Sequence, residues 1–229
     1  MSRSGCLMQD PDLVAACYTA MQGAADIPVT IKCRIGIDNE DSFTFLDKFV
    51  STIADKGCQT FIIHARKAWL KGLSPKQNRE VPPLDYDRVY LLKQKYPHLR
   101  IILNGGITQI PQIITARDAG LDGVMIGREA YQNPYFMAEI ENQILGNRQA
   151  INRDDVARAM MPYIREQREL FDTPVKSITR HLMGLYHNQP GAKSWRRALS
   201  TLPYEVNADE TVITAAMSEK DDAATPKTI

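Results

Sequence analysis

RIILNGGITQIPQIITARDAGLDGVMIGR (100–128) is the stretch on which the fold turns. An apolar run ends in Asn104-Gly105-Gly106, a short helical pattern from Pro111 to Ala119 closes on Gly120, and a second apolar run ends in Gly127-Arg128. That is strand, helix, strand within about thirty residues, the signature of a parallel βαβ unit. Working outward, TFIIHAR (60–66) and VTIKCRI (29–35) read as two earlier strands of the same kind. Leu46, Phe49, Val50 and Ile53 recur at helical spacing between those two strands, and Gly57 is placed to close that helix as a left-handed cap. Asp10-Pro11 is a helix start, followed by Val14, Cys17, Tyr18 and Met21 as an apolar stripe, and a further helix is expected around Asp85–Tyr96.

Near-continuous apolar strands alternating with helices fit a parallel sheet covered by helices. No GxGxxG follows the first strand, so a dinucleotide-binding Rossmann domain is disfavoured and a (β/α) barrel is preferred. A closed barrel needs eight strands and roughly 250 residues. The 229-residue chain offers four strand units, so the expected fold class is α/β, the C-terminal half of a (β/α)8 TIM barrel followed by a small all-helical domain. From about 150 the pattern is helical: Asp154–Phe171, Pro174–Tyr186 and Ser194–Leu199 read as helices, with a turn at Asn188-Gln189-Pro190-Gly191. The domains are therefore expected at 1–148, 149–204 and, as a disordered acidic tail, 205–229.

Composition narrows the chemistry. Hydrophobic residues are 44% and charged residues 24% of the chain, which excludes collagen-like and wholly disordered classes. The apolar runs are too short to span a bilayer and the N-terminus lacks a secretory pattern, so the cytoplasm is the expected location. Cysteines 6, 17, 33 and 58 have neither CxxC spacing nor a histidine cluster nearby, so no metal site is expected and the thiols are read as reduced and mostly buried. The net charge of +1 averages unlike segments. Arg66, Lys67, Lys71, Lys76 and Arg79 lie in a stretch without an acid, as do Lys176, Arg180, Lys193, Arg196 and Arg197. With Trp69, Tyr186 and Trp195 interleaved, these two segments are read as polyanion-binding surfaces as readily as solvated faces.

Alternation in VTIKCRI sets Thr30, Lys32 and Arg34 on one face and Val29, Ile31 and Cys33 on the other. A lysine in an otherwise apolar strand is costly unless it meets an anion or polar cofactor. His64 stands at a strand's C-terminal end, where a lone histidine is a weak signal, and Asn104 occupies the corresponding place in the next strand. Glycine-containing loops at two successive strand ends, with Arg128, read as a phosphate site.

VTIKCRIG (29–36), FIIHARKAWLKGLSPKQNREVPPLDY (61–86), NGGI (104–107), GVMIGREAYQNPY (123–135) and KSITRHLMGLYHNQPGAKSWRRALS (176–200) closely resemble the FMN-dependent tRNA-dihydrouridine synthases, with the A-type subfamily the best fit. The resemblance runs from about Gly5 to Leu202. It implies an FMN barrel, of which these strands are the fifth to eighth, and a helical tRNA-binding domain. It places Lys32 and His64 against the flavin, and Asn104, Gly105, Gly106, Gly127 and Arg128 at its phosphate. Lys76, Arg79, Lys193 and Arg196 would face tRNA. The implied reaction is NADPH-driven reduction of the 5,6 double bond of D-loop uridines near position 20, on a base taken out of its stack. The family's proton-donating cysteine belongs to a CPS motif upstream of a segment like GxFGACLM, of which MSRSGCLMQDP looks like the remainder; Cys6 matches the downstream cysteine. No catalytic residue is therefore assigned in this chain, which is expected to be N-terminally truncated, impaired alone, and prone to self-association through open sheet edges. The other readings are a tRNA-binding remnant without redox chemistry and a small phosphate-sugar isomerase or aldolase.

Overall fold

In a computed structural model the described residues are 6–146 and 151–225, and they divide into two compact units, Met1–Ile126 and Gly127–Ile229. The first unit alternates helix and strand: α1 (Pro11–Ala24), β1 (Ile31–Arg34), α2 (Phe43–Ala54), β2 (Thr60–His64), α3 (Tyr86–Lys95), β3 (Arg100–Asn104), α4 (Ile110–Asp118) and β4 (Gly123–Met125). The four strands form one parallel sheet in the order β1-β2-β3-β4.

The helix starts follow from capping chemistry. Asp10 and Ser42 accept the backbone N–H groups of Leu13 and Phe45 at 3.1 Å each, and Pro11 fills the first turn of α1, where no N–H is missed. Leu46, Phe49, Val50 and Ile53 are buried as one stripe of α2, and Gly57 takes a φ of +97° after it. In α1 the buried face differs from the expected stripe: Pro11, Ala15 and Tyr18 are buried, whereas Cys17 and Met21 are exposed.

Strand alternation sorts the sheet into two unlike faces. Cys33, Phe61, Ile63, Ile101 and Leu103 are buried on one, while Lys32, Arg34, Ile62, His64, Ile102 and Asn104 share the other at intermediate to full exposure. Register aligns Lys32 with Ile62 and Ile102 in one row and Arg34 with His64, Asn104 and Met125 in the next. Lys93 of α3 braces the buried side, its Nζ donating to the Leu99 carbonyl and to Asp122 Oδ2, which also accepts the Ile101 N–H, all at 2.8 Å.

The second unit is helical: α5 (Arg128–Gln132), α6 (Phe136–Gln143), α7 (Arg153–Phe171), α8 (Val175–Thr179), α9 (Ala192–Thr201) and α10 (Val212–Ala224). The expected domain boundary at 148–149 lies outside the described residues, as do the N-terminal residues through Gly5. Two expectations are corrected. The helix read from Pro174 to Tyr186 stops at Thr179 and gives way to successive three-residue turns, Leu182 N–H to Thr179, Leu185 to Leu182, His187 to Gly184 and Gln189 to Tyr186. Gly184 is the reason: a Cβ there would lie 2.1 Å from the Gln132 carbonyl oxygen, so this backbone approaches another closely instead of coiling. The stretch 205–229, read as a disordered tail, contains α10, which buries Val212, Ile213, Ala216, Met217 and Lys220.

The core of this unit gathers Ile164, Val175, Ile178, Leu185, Tyr186, Trp195, Leu199 and the buried face of α10. Trp195 is fully buried, its Nε1–H donates to the Leu182 carbonyl at 2.9 Å, and Tyr186 meets its ring edge-on at 4.7 Å. Both aromatics are therefore structural. They are not available to stack on bases, contrary to the reading of the basic segment around them.

Candidate functional site

The half-exposed sheet face carries a connected set of polar groups. Lys32 Nζ donates to Asn104 Oδ1 at 2.8 Å, and Asn104 Nδ2 donates to the Met125 carbonyl at 2.8 Å. The amide is thereby oriented, oxygen toward the ammonium, by a side chain from β1 and a carbonyl of the adjacent β4. Among the described residues Lys32 makes no ion pair. Although much of its side chain is accessible, desolvation lowers its pKa; the neighbouring Cys33 acts in the opposite sense, and the charge of Arg34 adds to the lowering. A cation in that position is one that a bound anion would stabilise.

Gly105 and Gly106 begin the loop after β3 with φ of +111° and +68°. A Cβ on Gly105 would sit 2.6 Å from His64 Cδ2, and one on Gly106 would sit 2.5 Å from Leu84 Cδ1. The loop thus passes against His64 with no room for a side chain. Tyr86 donates its hydroxyl to the Gly105 carbonyl at 2.7 Å, and Gln112 holds the Gly106 carbonyl at 3.1 Å while its Oε1 accepts the N–H groups of Thr108 and Gln109. Lys32, His64, Asn104, Gly105 and Gly106 are accordingly brought together at one end of the sheet. Gly127 and Arg128 begin the second unit as the N-cap and first residue of α5.

The long excursion after β2 is ordered by its own side chains. Arg34 Nη1 donates to the carbonyls of Lys67 and Asn78, both at 2.9 Å. Asn78 clasps Trp69, accepting its N–H and donating to its carbonyl at 2.8 Å each, and Asp38 Oδ1 accepts the Leu70 N–H at 2.8 Å. Lys67 reaches Asp41 at 2.9 Å and lies 4.4 Å over the Trp69 ring. Lys76 and Arg79 stand exposed on and beside the short 3-10 turn Gln77–Arg79. Burial lowers the Arg34 pKa, and the charges of Arg79 and Arg66 lower it further, so three guanidinium groups converge here. Sequence reading placed Arg34 on the correct face but gave it no task, and missed Asp38 and Asn78; Asp38, a non-glycine residue at φ +45°, had no local signal.

In the helical unit Lys193 and Arg196 are exposed, three residues apart on α9, opposite its buried Ala192, Trp195 and Leu199. An open cleft of about 510 Å³ lies nearby in the same unit, lined by residues including Arg153, Asp154, Tyr186 and Lys220. Its charges are internally satisfied: Tyr186 donates to Asp154 at 2.5 Å, Lys220 reaches Asp221 at 2.5 Å, and Arg153 donates to the Leu185 carbonyl while stacking 3.8 Å over Tyr135. Burial, then the bond to Asp154, pushes the Tyr186 phenol up.

Of the four cysteines, Cys33 and Cys58 are buried and Cys6 and Cys17 exposed, so the reading of mostly buried thiols holds for half of them. Burial pushes the Cys33 thiol up to about 12. At pH 8 iodoacetamide is expected to label Cys17 in the native chain and to spare Cys33 until denaturant is added. A raised native pKa stabilises the fold fully below the ordinary thiol pKa of about 8.5, and that stability is lost as pH rises toward the native value. The melting temperature of the parent should therefore fall more steeply between pH 8.5 and 11 than that of Cys33→Ala; parallel curves would contradict this.

Among the described residues there is no group of three His, Cys, Asp or Glu suited to a metal, and no helix is long and apolar enough to cross a membrane. Residues 2–220 match the family model for Dihydrouridine synthase (Dus). The tRNA-dihydrouridine(20/20a) synthase of Shewanella oneidensis is 52% identical over 212 residues, 92% of this chain and 63% of that protein. Its namesakes in Vibrio cholerae and Escherichia coli K12 are each 51% identical, covering 93% of this chain and 65% and 61% of theirs. The chain thus spans a little under two thirds of the length of these relatives.

Proposed function

The chain belongs to the dihydrouridine synthase family, and we propose that it carries the flavin-side and RNA-facing residues of an A-type tRNA-dihydrouridine synthase acting on D-loop uridines near position 20. The observation that carries this reading is the Lys32–Asn104–Met125 chain of hydrogen bonds on the open sheet face, set beside the side-chain-free approach of Gly105 to His64. Parallel strands in sequential order, each crossing over through a helix, are the order of a (β/α)8 barrel; a doubly wound sheet would reverse direction at a switch point. The four strands are accordingly read as the last four of such a barrel.

The donor set suits FMN. An ammonium whose oriented polar partner is a neutral amide fits an electron-rich ring system, and a glycine loop at a strand end fits a phosphate. FMN, when bound, supplies hydride transfer to the pyrimidine ring, with NADPH as the source of reducing equivalents. Lys32 would hold negative charge at the ring, Asn104 would keep that ammonium aimed, and His64 would line the same face. Asn104, Gly105 and Gly106, with Gly127 and Arg128, are the residues proposed to hold the phosphate. Cys33 is buried on the other side of the sheet and Cys58 is fully buried, so neither reaches a substrate as the proton donor of the reduction.

Lys76, Arg79, Lys193 and Arg196 are the proposed phosphate contacts to tRNA, which confer affinity and little sequence information. The double variant Lys193→Ala/Arg196→Ala is expected to weaken binding of a tRNA transcript and to shallow the dependence of log K on log salt by about 2, roughly 1 per lost contact. An unchanged slope, measured by fluorescence anisotropy between 50 and 200 mM salt, removes these residues from the RNA surface.

A further inference from the structure

We propose that Arg34 is the positioning residue of the RNA-facing loop, fixing Lys76 and Arg79 through two backbone carbonyls and so tying that loop to the strand that carries Lys32. The inference rests on the reading of Lys76 and Arg79 as tRNA contacts. Arg34 lies two residues from Lys32 on the same face of β1, yet its guanidinium does not go to a carboxylate among the described residues. Nη1 donates to Lys67 and Asn78, residues eleven apart in sequence that lie on either side of the exposed Lys71 and Lys76. Asn78 belongs to the 3-10 turn Gln77–Arg79, with Lys76 as its N-cap and Arg79 as its last residue. Fixing the Asn78 carbonyl therefore fixes the backbone from which both cations project.

Further bonds tie the start of the loop to the same anchor, while Arg66 separately holds the Glu80 and Pro82 carbonyls at its end and Ser74 and Gln77 bond each other within it. Asn78 joins the far side of the loop back to Trp69 and, at 3.4 Å, to the Leu73 carbonyl, while Asp38 holds Leu70 and Lys67 holds Asp38 and Asp41. These bonds all lie within the first unit. The loop is thus ordered before any RNA arrives, which avoids paying the entropy of ordering it upon binding. Arginine suits the task because its guanidinium remains charged even when burial and the charges of Arg79 and Arg66 lower its pKa, so the donor is never lost.

Two readouts test the role in the full chain. In the absence of RNA, Arg34→Ala should speed tryptic cleavage after Lys71 and Lys76 by about tenfold or more, since two charge-assisted hydrogen bonds are removed. Asn78→Ala, which opens the same clasp without removing a charge, should do likewise, and Arg34→Lys should restore part of the protection. Affinity for a tRNA transcript is then measured in a double-mutant cycle. In the parent, Lys76→Ala and Arg79→Ala each weaken binding; in the Arg34→Ala background each should cost less than half as many fold. Unchanged cleavage with fully additive losses overturns the proposal and makes Arg34 an independent charge. If Lys76→Ala and Arg79→Ala leave the parent's affinity unchanged, the RNA-facing reading fails, and the cleavage rates alone decide whether Arg34 orders the loop.

Discussion

Trp195→Ala is expected to cost the helical unit about 3–5 kcal/mol, enough to leave that unit largely unfolded at 37 °C. The side chain is fully buried, so its removal leaves a cavity bounded by α8, α9 and the turns between them. It also removes one of the two hydrogen bonds that the Leu182 carbonyl accepts, leaving the one from the Leu185 N–H, and takes away the edge-on partner of Tyr186. Chemical denaturation followed by far-UV circular dichroism should show the helical signal lost at much lower denaturant while the α/β unit retains its transition. A shift of less than 1 kcal/mol would mean that Trp195 is not the centre of this core.

Gly191→Ala is expected to destabilise the same unit by roughly 3 kcal/mol or more, from left-handed strain added to overpacking. Gly191 has a φ of +74° and precedes α9 as its N-cap residue. A Cβ there would lie 2.2 Å from the Lys220 carbonyl oxygen and 2.9 Å from its carbon, and backbone in a helix cannot step aside as a side chain can. The predicted consequence is release of α10, read as faster hydrogen exchange from 212 to 224 than in the parent. Gly120→Ala is the matched control, because Gly120 has a φ of +84° but nothing within 4 Å of its missing Cβ. If the two variants lose the same stability, strain alone is at work and α10 is not packed where it is placed.

These two positions mark the division between what the sequence makes legible and what it hides. The strands and their order were readable because Phe61, Ile63, Ile101 and Leu103 alternate with half-exposed neighbours inside short apolar runs bounded by glycine. Asp10 with Pro11, and Gly57, gave helix ends through local chemistry that tertiary contacts did not override. Lys32 and Asn104 stood out as polar residues in apolar strands, and they meet at 2.8 Å although 72 residues apart. α10 was hidden by composition: Ala, Thr, Asp and Lys dominate its stretch, while the buried Val212, Ile213, Ala216, Met217 and Lys220 recur at helical spacing. A periodicity count would have found it. The turns from 180 to 191 had no such signal, because they depend on how closely Gly184 and Gly191 approach Gln132 and Lys220, contacts dozens of residues away for Gly184. Basic residues interleaved with Tyr186 and Trp195 looked like a nucleic-acid surface. On α9, however, Lys193, Arg196 and Arg197 face out while Trp195 faces in with Ala192, Ala198 and Leu199, and Tyr186 is buried against the Trp195 ring from the turns that precede the helix.

Arg34 shows the same limit in the site itself. Its face was legible from alternation, whereas its two carbonyl acceptors lie 33 and 44 residues downstream in a loop without periodicity.

A flavin on the Lys32 face of the sheet is detected most directly by retained flavin absorbance. The full chain is incubated with excess FMN, desalted, and its 450 nm absorbance compared with that of Lys32→Ala treated identically. Near-stoichiometric flavin is expected on the parent and a loss of at least tenfold on Lys32→Ala, with both proteins equally folded by circular dichroism. Equal flavin on the two would contradict the placement of the cofactor at Lys32. No flavin on either would contradict the claim for this chain and leave tRNA binding as the activity its basic surfaces support.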